Sequence, residues 1–149
     1  MTSLSTNTGA VRLVGVREDA LDLAEVTAAV ADRSAGGVDV FLGVVRDHDS
    51  GQPVTGLEYV GHPTALARLE EVAAEVAAEF DVVAVAAVHR VGHLEIGDTA
   101  VICAVSARHR PEAFEATRAL IDRLKERVPI WKHQHYADGS EDWVEPGHC

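Results

Sequence analysis

Three apolar, β-branched runs constrain this chain more than any other feature. Val38 to Val45, Val82 to Val91 and Thr99 to Ala107 are each of strand length and carry few charges. Runs of this kind are stable only when other elements cover them, so the fold must contain buried strands and the helices that shield them. Val38 to Val45 reads as buried on both faces. Shorter strands are predicted over 10–16, 54–60 and 130–136.

The sequence supplies three helices for the covering. Asp19 is placed to cap a helix over 20–33, with Leu21, Leu23, Val26 and Val30 on its apolar face, and Gly36-Gly37 ends it. Pro63 suits the first position of a helix over 64–80, where Leu66, Leu69, Val72, Val76 and Phe80 recur at helical spacing. Pro111 opens a third helix to about Arg127, with Phe114, Thr117, Leu120, Ile121 and Leu124 inward, and Pro129 breaks it. Arg46 to Gly51 reads as a polar loop and Gly92 to Asp98 as a connection. Asp138-Gly139 is a turn signal that lets Trp143-Val144 pair back as a hairpin. The order β-α-β-β-α-β-β-α-β-β predicts an α+β sandwich, a mostly antiparallel sheet with helices packed on one face.

With 149 residues, 47% of them hydrophobic, the chain suits a single domain over 10–149 behind a loose tail at 1–9. No run approaches the ~18 apolar residues of a membrane span. The polar start lacks a secretory pattern, so a cytoplasmic protein is expected. Cys103 lies in an apolar run and Cys149 is the last residue, which is neither a disulfide framework nor a zinc quartet. A net charge of −11 argues against general nucleic-acid binding.

The charge is unevenly spread. Arg108 to Lys132 carries net +3 and the rest of the chain −14, which suggests a local anion site. The chain has eleven arginines and only two lysines, Lys125 and Lys132, both in this segment. Ser106-Ala107-Arg108-His109-Arg110-Pro111 joins a strand to a helix, where free N–H groups, the helix dipole and arginines favour a phosphate; a solvated loop is the alternative. A lysine among other cations and partly desolvated has its ammonium form disfavoured, which suits a nucleophile or proton carrier; compensation of the helix dipole is the alternative for Lys125. Arg46-Asp47-His48-Asp49 offers a second grip on an anion, or an ordinary polar loop.

Eight histidines invite a metal reading, but His89 and His93 lie on strand and turn. His133 and His135 share one face of a strand, and neither pair has a third ligand at fixed spacing. No metal site and no resident cofactor are expected. Glu70, Glu71, Glu75 and Glu79 read as the solvated face of a helix.

Five ordered blocks carry a resemblance: Phe41-Leu42-Gly43-Val44-Val45-Arg46-Asp47-His48; Leu57-Glu58-Tyr59; His89-Arg90-Val91-Gly92; Ser106 to Ala116; and Ile121 to Lys132, ending Pro129-Ile130-Trp131-Lys132. Together, across about residues 10 to 145, they resemble the large, catalytic subunit family of molybdopterin synthase. The resemblance implies an α/β-hammerhead-like fold and a sulfur transferase of molybdenum-cofactor biosynthesis. Such an enzyme converts cyclic pyranopterin monophosphate to molybdopterin by installing two dithiolene sulfurs. The sulfur arrives as a thiocarboxylate on the C-terminal Gly-Gly of a small ubiquitin-like subunit. The implied assembly is a heterotetramer built on a homodimer of the large subunit.

By position in the family's blocks, Lys125 is the essential lysine near the thiocarboxylate and Lys132 the second pocket lysine. Arg46, His109 and Arg110 match residues that hold the pterin phosphate, reaching it across the dimer interface. His133 and Gln134 join the substrate-binding set, although the family commonly has a basic residue and a glutamate there. The sequence closes on Pro146-Gly147-His148-Cys149 and not on Gly-Gly, so a separate donor subunit is expected. Two rival readings are a non-catalytic phosphate- or nucleotide-binding regulatory module and a structural dimer docking an acidic neighbour.

Overall fold

The computed structural model describes residues 9–49 and 51–144. Most of the expected tail, the final Pro-Gly-His-Cys and Cys149 lie outside them. The elements in chain order are β1 (Val11–Arg17), α1 (Leu23–Val30), β2 (Gly37–Val44), β3 (His48–Asp49), β4 (Gln52–Gly61) and α2 (Ala65–Glu79). They continue with β5 (Ala84–Arg90), β6 (Gly92–Leu94), β7 (Thr99–Ala107), α3 (Arg110–Arg127), β8 (Ile130–Tyr136) and β9 (Glu141–Val144). No described helix is long and apolar enough to cross a membrane.

The three apolar runs lie side by side. They form a sheet of order β1-β5-β7-β2, in which β1 and β5 are parallel and the other pairs antiparallel. A second, antiparallel sheet runs β3-β4-β8-β9, with β6 also on β4. The mixed α+β class and the antiparallel majority are as the sequence predicts. The helices, however, cover both faces of the first sheet. Val85, Ala87, Val101, Cys103 and Val105 point into one core with Leu69, Val72 and Val76 of α2 and Leu120 and Leu124 of α3. The alternate residues Ala84, Ala86, Val88, Ile102 and Ala104 pack on Val26 and Val30 of α1. Central strands that are apolar at successive positions need cover on both sides, which places α1 opposite the other two helices.

Other expectations are corrected. β2 occupies the sheet edge, so it is not buried on both faces: Val38 is 52% and Val44 51% exposed, and Phe41 and Leu42 are exposed too. Strand order, which composition does not encode, decides this. The first helix is shorter than predicted. Asp22, not Asp19, caps α1 by accepting from the Ala24 N–H at 3.0 Å, and an Asp32 carboxylate turn onto Ser34 leads the chain away. The polar loop and the connection each contain a short strand, β3 and β6. The acidic face of α2 is partly engaged: Arg123 bonds Glu75 and Glu79 at 2.7 Å each, and Arg127 grips Glu75 with two bonds. These bridges pin α3 to α2, and their exposure to solvent keeps the contribution of each small.

The junction from β7 into α3 is tight. A Cβ at Gly36 would sit 2.5 Å from the Arg108 carbonyl oxygen, while the Gly36 N–H bonds the Ala107 carbonyl at 3.0 Å. Backbone would have to move to admit a methyl group. Gly36→Ala is therefore expected to lower stability by about 1–3 kcal/mol. Gly9→Ala, with nothing within 4 Å, should stay within about 0.5 kcal/mol of wild type. Urea denaturation of the two variants checks both values.

Candidate active site

The β4–β8 ladder sorts side chains into two sets. Leu57 lies opposite Gln134 and Tyr59 opposite Lys132, so these four project to the side facing α3 and the end of β2. Glu58, His133 and His135 belong to the other face, since strand side chains alternate. The first set lines a cavity of about 460 Å³. Its polar lining is Arg46, Asp49, Asp122, Lys125, Lys132 and Gln134, and Phe41, Leu42, Leu57, Tyr59 and Ile121 supply much of the apolar wall.

The two lysines meet there because of the break at Pro129. Lys125 stands in the last turn of α3, one turn beyond Ile121 on the same side. The Val128 N–H closes the helix on the Leu124 carbonyl at 2.9 Å, and the His62 N–H takes the Pro129 carbonyl at 3.0 Å, which hands the chain to the second sheet. β8 then pairs with β4 and delivers Lys132 to the lining. Several of the remaining cations are engaged elsewhere, Arg123 and Arg127 with the α2 glutamates and Arg108 with Asp81, while Arg118 pairs with Asp122 of the lining at 3.6 Å.

Asp49, which belongs by sequence to an ordinary polar loop, also lines the cavity. The Gln134 amide donates to its carboxylate and Arg46 approaches it at 3.4 Å. The Gln134 hydrogen bond, then the charges of Lys132 and Arg46, hold the Asp49 carboxyl below the usual carboxylate range. Gln134 is only 2% exposed, so its amide is a fixed part of the wall. Asp49 is brought in by the β3–β4 hairpin, a pairing with no strong sequence signal in a two-residue strand.

Beneath the cavity lies His89, 2% exposed, with its ring edge-on to Tyr59 at 4.9 Å. Its Nδ1–H donates to the Arg90 carbonyl at 2.7 Å. Burial, reinforced by the positive charge of Lys125, pushes its pKa down to about 4. Burial pushes the neighbouring Cys103 thiol up to about 12, which excludes it as a thiolate nucleophile at neutral pH.

Of the residues expected to form the site, Arg46, Lys125, Lys132 and Gln134 converge on this cavity. His109 and Arg110 stand exposed at the start of α3, about 22 Å of helix from Lys125 at ~1.5 Å per residue. They do not line the cavity of their own chain. His133 faces away from it, with Nε2 on Glu141 at 2.7 Å and its ring stacked on Trp143 at 4.3 Å.

The family model described as MoaE protein matches residues 16–127. The chain belongs to the MoaE family. Relatives include molybdopterin synthase catalytic subunit 1 of Mycobacterium tuberculosis, 42% identical across 91% of this chain and 92% of the relative. The molybdopterin synthase catalytic subunit of a Nostoc species is 41% identical across 87% and 79%. Among solved structures, molybdopterin synthase from Staphylococcus aureus superposes with a TM-score of 0.80 at 33% identity, covering 89% of this chain and 96% of that one. A Helicobacter pylori complex of subunits 1 and 2 of molybdopterin-converting factor shares the fold, with a TM-score of 0.66 at 22% identity over 91% and 89%. In this MoaE chain the family blocks at Phe41–His48, Leu57–Tyr59 and Ile121–Lys132 all border the cavity.

His89 gives the fold of this MoaE chain a defined acid response. Its pKa in the folded protein, about 4, lies below the ordinary 6.5, so the folded state binds fewer protons between those values. The stabilisation is fully present above pH 6.5 and is lost as pH falls through about 4; at ~1.4 kcal/mol per unit it amounts to about 3 kcal/mol. Denaturant midpoints measured from pH 7 to 4 should fall less steeply in His89→Gln than in wild type. An unchanged slope would show that the imidazole is not the titrating group.

Proposed function

We infer that this chain is the catalytic subunit of a molybdopterin synthase. It moves sulfur from the thiocarboxylated C-terminus of a small ubiquitin-like subunit onto cyclic pyranopterin monophosphate. The observation that carries the reading is the convergence of the chain's only two lysines, with Arg46, on one cavity. The substrate brings a phosphate and the donor a thiocarboxylate anion, so both reactants call for fixed cations in a partly apolar cleft.

Lys125 meets the incoming thiocarboxylate. Its ammonium holds the sulfur anion as that sulfur bonds to a pterin carbon and forms a thioester. Water or the amine of this lysine then adds to the thioester carbonyl as the C–S bond breaks, which leaves the sulfur on the pterin as a thiolate and the acyl group as a carboxylate or as an amide on Lys125. Lys132 binds the pterin and moves protons. Arg46 holds the phosphate, and Asp49, hydrogen-bonded by Gln134, keeps the guanidinium in place. The Leu57 and Tyr59 wall limits water around the reacting sulfur. His109 and Arg110 complete the phosphate grip from a second copy of the chain. The β2 edge, with Val38, Phe41, Leu42 and Val44 exposed, favours such a homodimer. Two β2 edges paired antiparallel about a two-fold axis set the Gly37 end of one against the Val44 end of the other. The Gly37 end lies against Arg110, and the Val44 end leads to Arg46.

Incubation of the protein with a thiocarboxylated small subunit and the cyclic pterin should yield molybdopterin. Lys125→Ala should lower the rate at least ~100-fold with its thermal midpoint little changed; full activity in that variant, or no product with wild type, overturns the reading. The shared site has its own check. Lys125→Ala and Arg110→Ala, each weak alone, should recover activity when refolded together, because a mixed dimer holds one site free of both substitutions. Absence of recovery would place the phosphate grip within one chain.

A further inference from the structure

The outer face of the β4–β8–β9 sheet carries a second cluster that the sulfur chemistry does not use. We propose that Glu58, His133 and His135 form a site for a divalent transition metal of the zinc, cobalt, nickel or copper type. One donor atom from each of the three lies within 4.8 Å of the others. Spacing along the chain does not predict the third ligand, because it comes from the ladder: Glu58 sits directly opposite His133 on β4, and His135 follows on the same face of β8.

The donor set is chemically selective. Two imidazoles with one carboxylate suit borderline ions, whereas calcium and magnesium prefer oxygen alone. A tetrahedral ion with bonds of ~2.0–2.2 Å holds its ligands roughly 3.5 Å apart. The three donors therefore close by about an ångström, a movement within the reach of the exposed Glu58 side chain. The centroids of the two imidazole rings lie 4.5 Å apart, and His133 is held by the parallel Trp143 ring at 4.3 Å and by the Glu141 carboxylate at 2.7 Å from Nε2. A carboxylate on the remote nitrogen is the arrangement that fixes the tautomer and raises the basicity of a metal-bound histidine. With Nε2 committed to Glu141, His133 offers Nδ1 to the ion, and water completes the coordination.

The site ties β4 to the β8–β9 hairpin. Lys132 and Gln134 project from the other side of the same strand, so an ion bound behind them stiffens the wall that carries the second lysine. Metal binding here is a property of the chain's own sheet and does not depend on the catalytic reading.

The test uses untagged, full-length protein and Co²⁺ and Zn²⁺ as probes. Co²⁺ should bind with one-to-one stoichiometry, produce visible absorption bands of a low-coordinate site, and quench the fluorescence of Trp143. Trp143→Phe should remove most of that quenching while leaving the absorption bands. His135→Ala and Glu58→Gln should each weaken binding at least tenfold, and Zn²⁺ should raise the thermal midpoint of wild type but not of His135→Ala. Binding that survives both substitutions unchanged, or absence of one-to-one binding by wild type at micromolar Co²⁺, overturns the proposal. Circular dichroism of the two variants without metal separates a lost ligand from a lost fold.

Discussion

The β5–β7 pair is apolar on both of its faces, and that sets the rest of the molecule. Ala84 to Val88 and Ala100 to Val105 are nearly all withdrawn from water, so one helix layer is not enough to cover them. Two helices occupy one side and a short helix the other. The side with two helices is where the second sheet also packs, since Leu57, Tyr59 and Leu94 enter the same core as Leu120 and Leu124. The seam between α3 and the second sheet then opens at one end into the cavity. The polar lining is thus held by a large hydrophobic assembly, and side chains whose charges would resist gathering are kept within reach of one another.

Within that seam, alternation along β8 divides labour between neighbouring residues. Lys132 and Gln134 face the cleft, whereas His133 and His135 face outward, and a shift of register by one residue would exchange the two sets. Burial of Leu57, Tyr59 and Gln134 on the inner side makes such a slip costly. The charge balance of the cleft follows. Asp49 is the carboxylate that faces Arg46 and Lys132, and the Gln134 amide anchors it without adding a second negative charge.

Much of this was legible beforehand. Strand-length apolar runs, helical spacing of Leu69, Val72 and Val76, and the break at Pro129 read correctly because each reflects local geometry. The isolation of the two lysines in an arginine-rich chain drew attention to their segment, but residue chemistry alone left dipole compensation open for Lys125 and an ordinary loop open for Arg46. The family resemblance is what grouped the three, and all three line the cavity. What escaped is set by strand order and register. The sequence of β2 is as apolar as that of its neighbours, and only sheet order leaves its side chains half exposed. Asp49 and Glu58 are ordinary polar residues until the β3–β4 and β4–β8 pairings give them partners 85 and 75 positions away. The distance from His109 and Arg110 to Lys125 likewise follows from an unbroken α3, which separates residues that look clustered on paper.

Cys103 gives the molecule one further property. Among the described residues it is the free cysteine, and it is wholly enclosed between the central strands and the helices. Burial keeps this thiol protonated and out of solvent. Alkylating reagents and polysulfides therefore find no foothold there, and thiol–disulfide exchange with the interior of the fold is blocked.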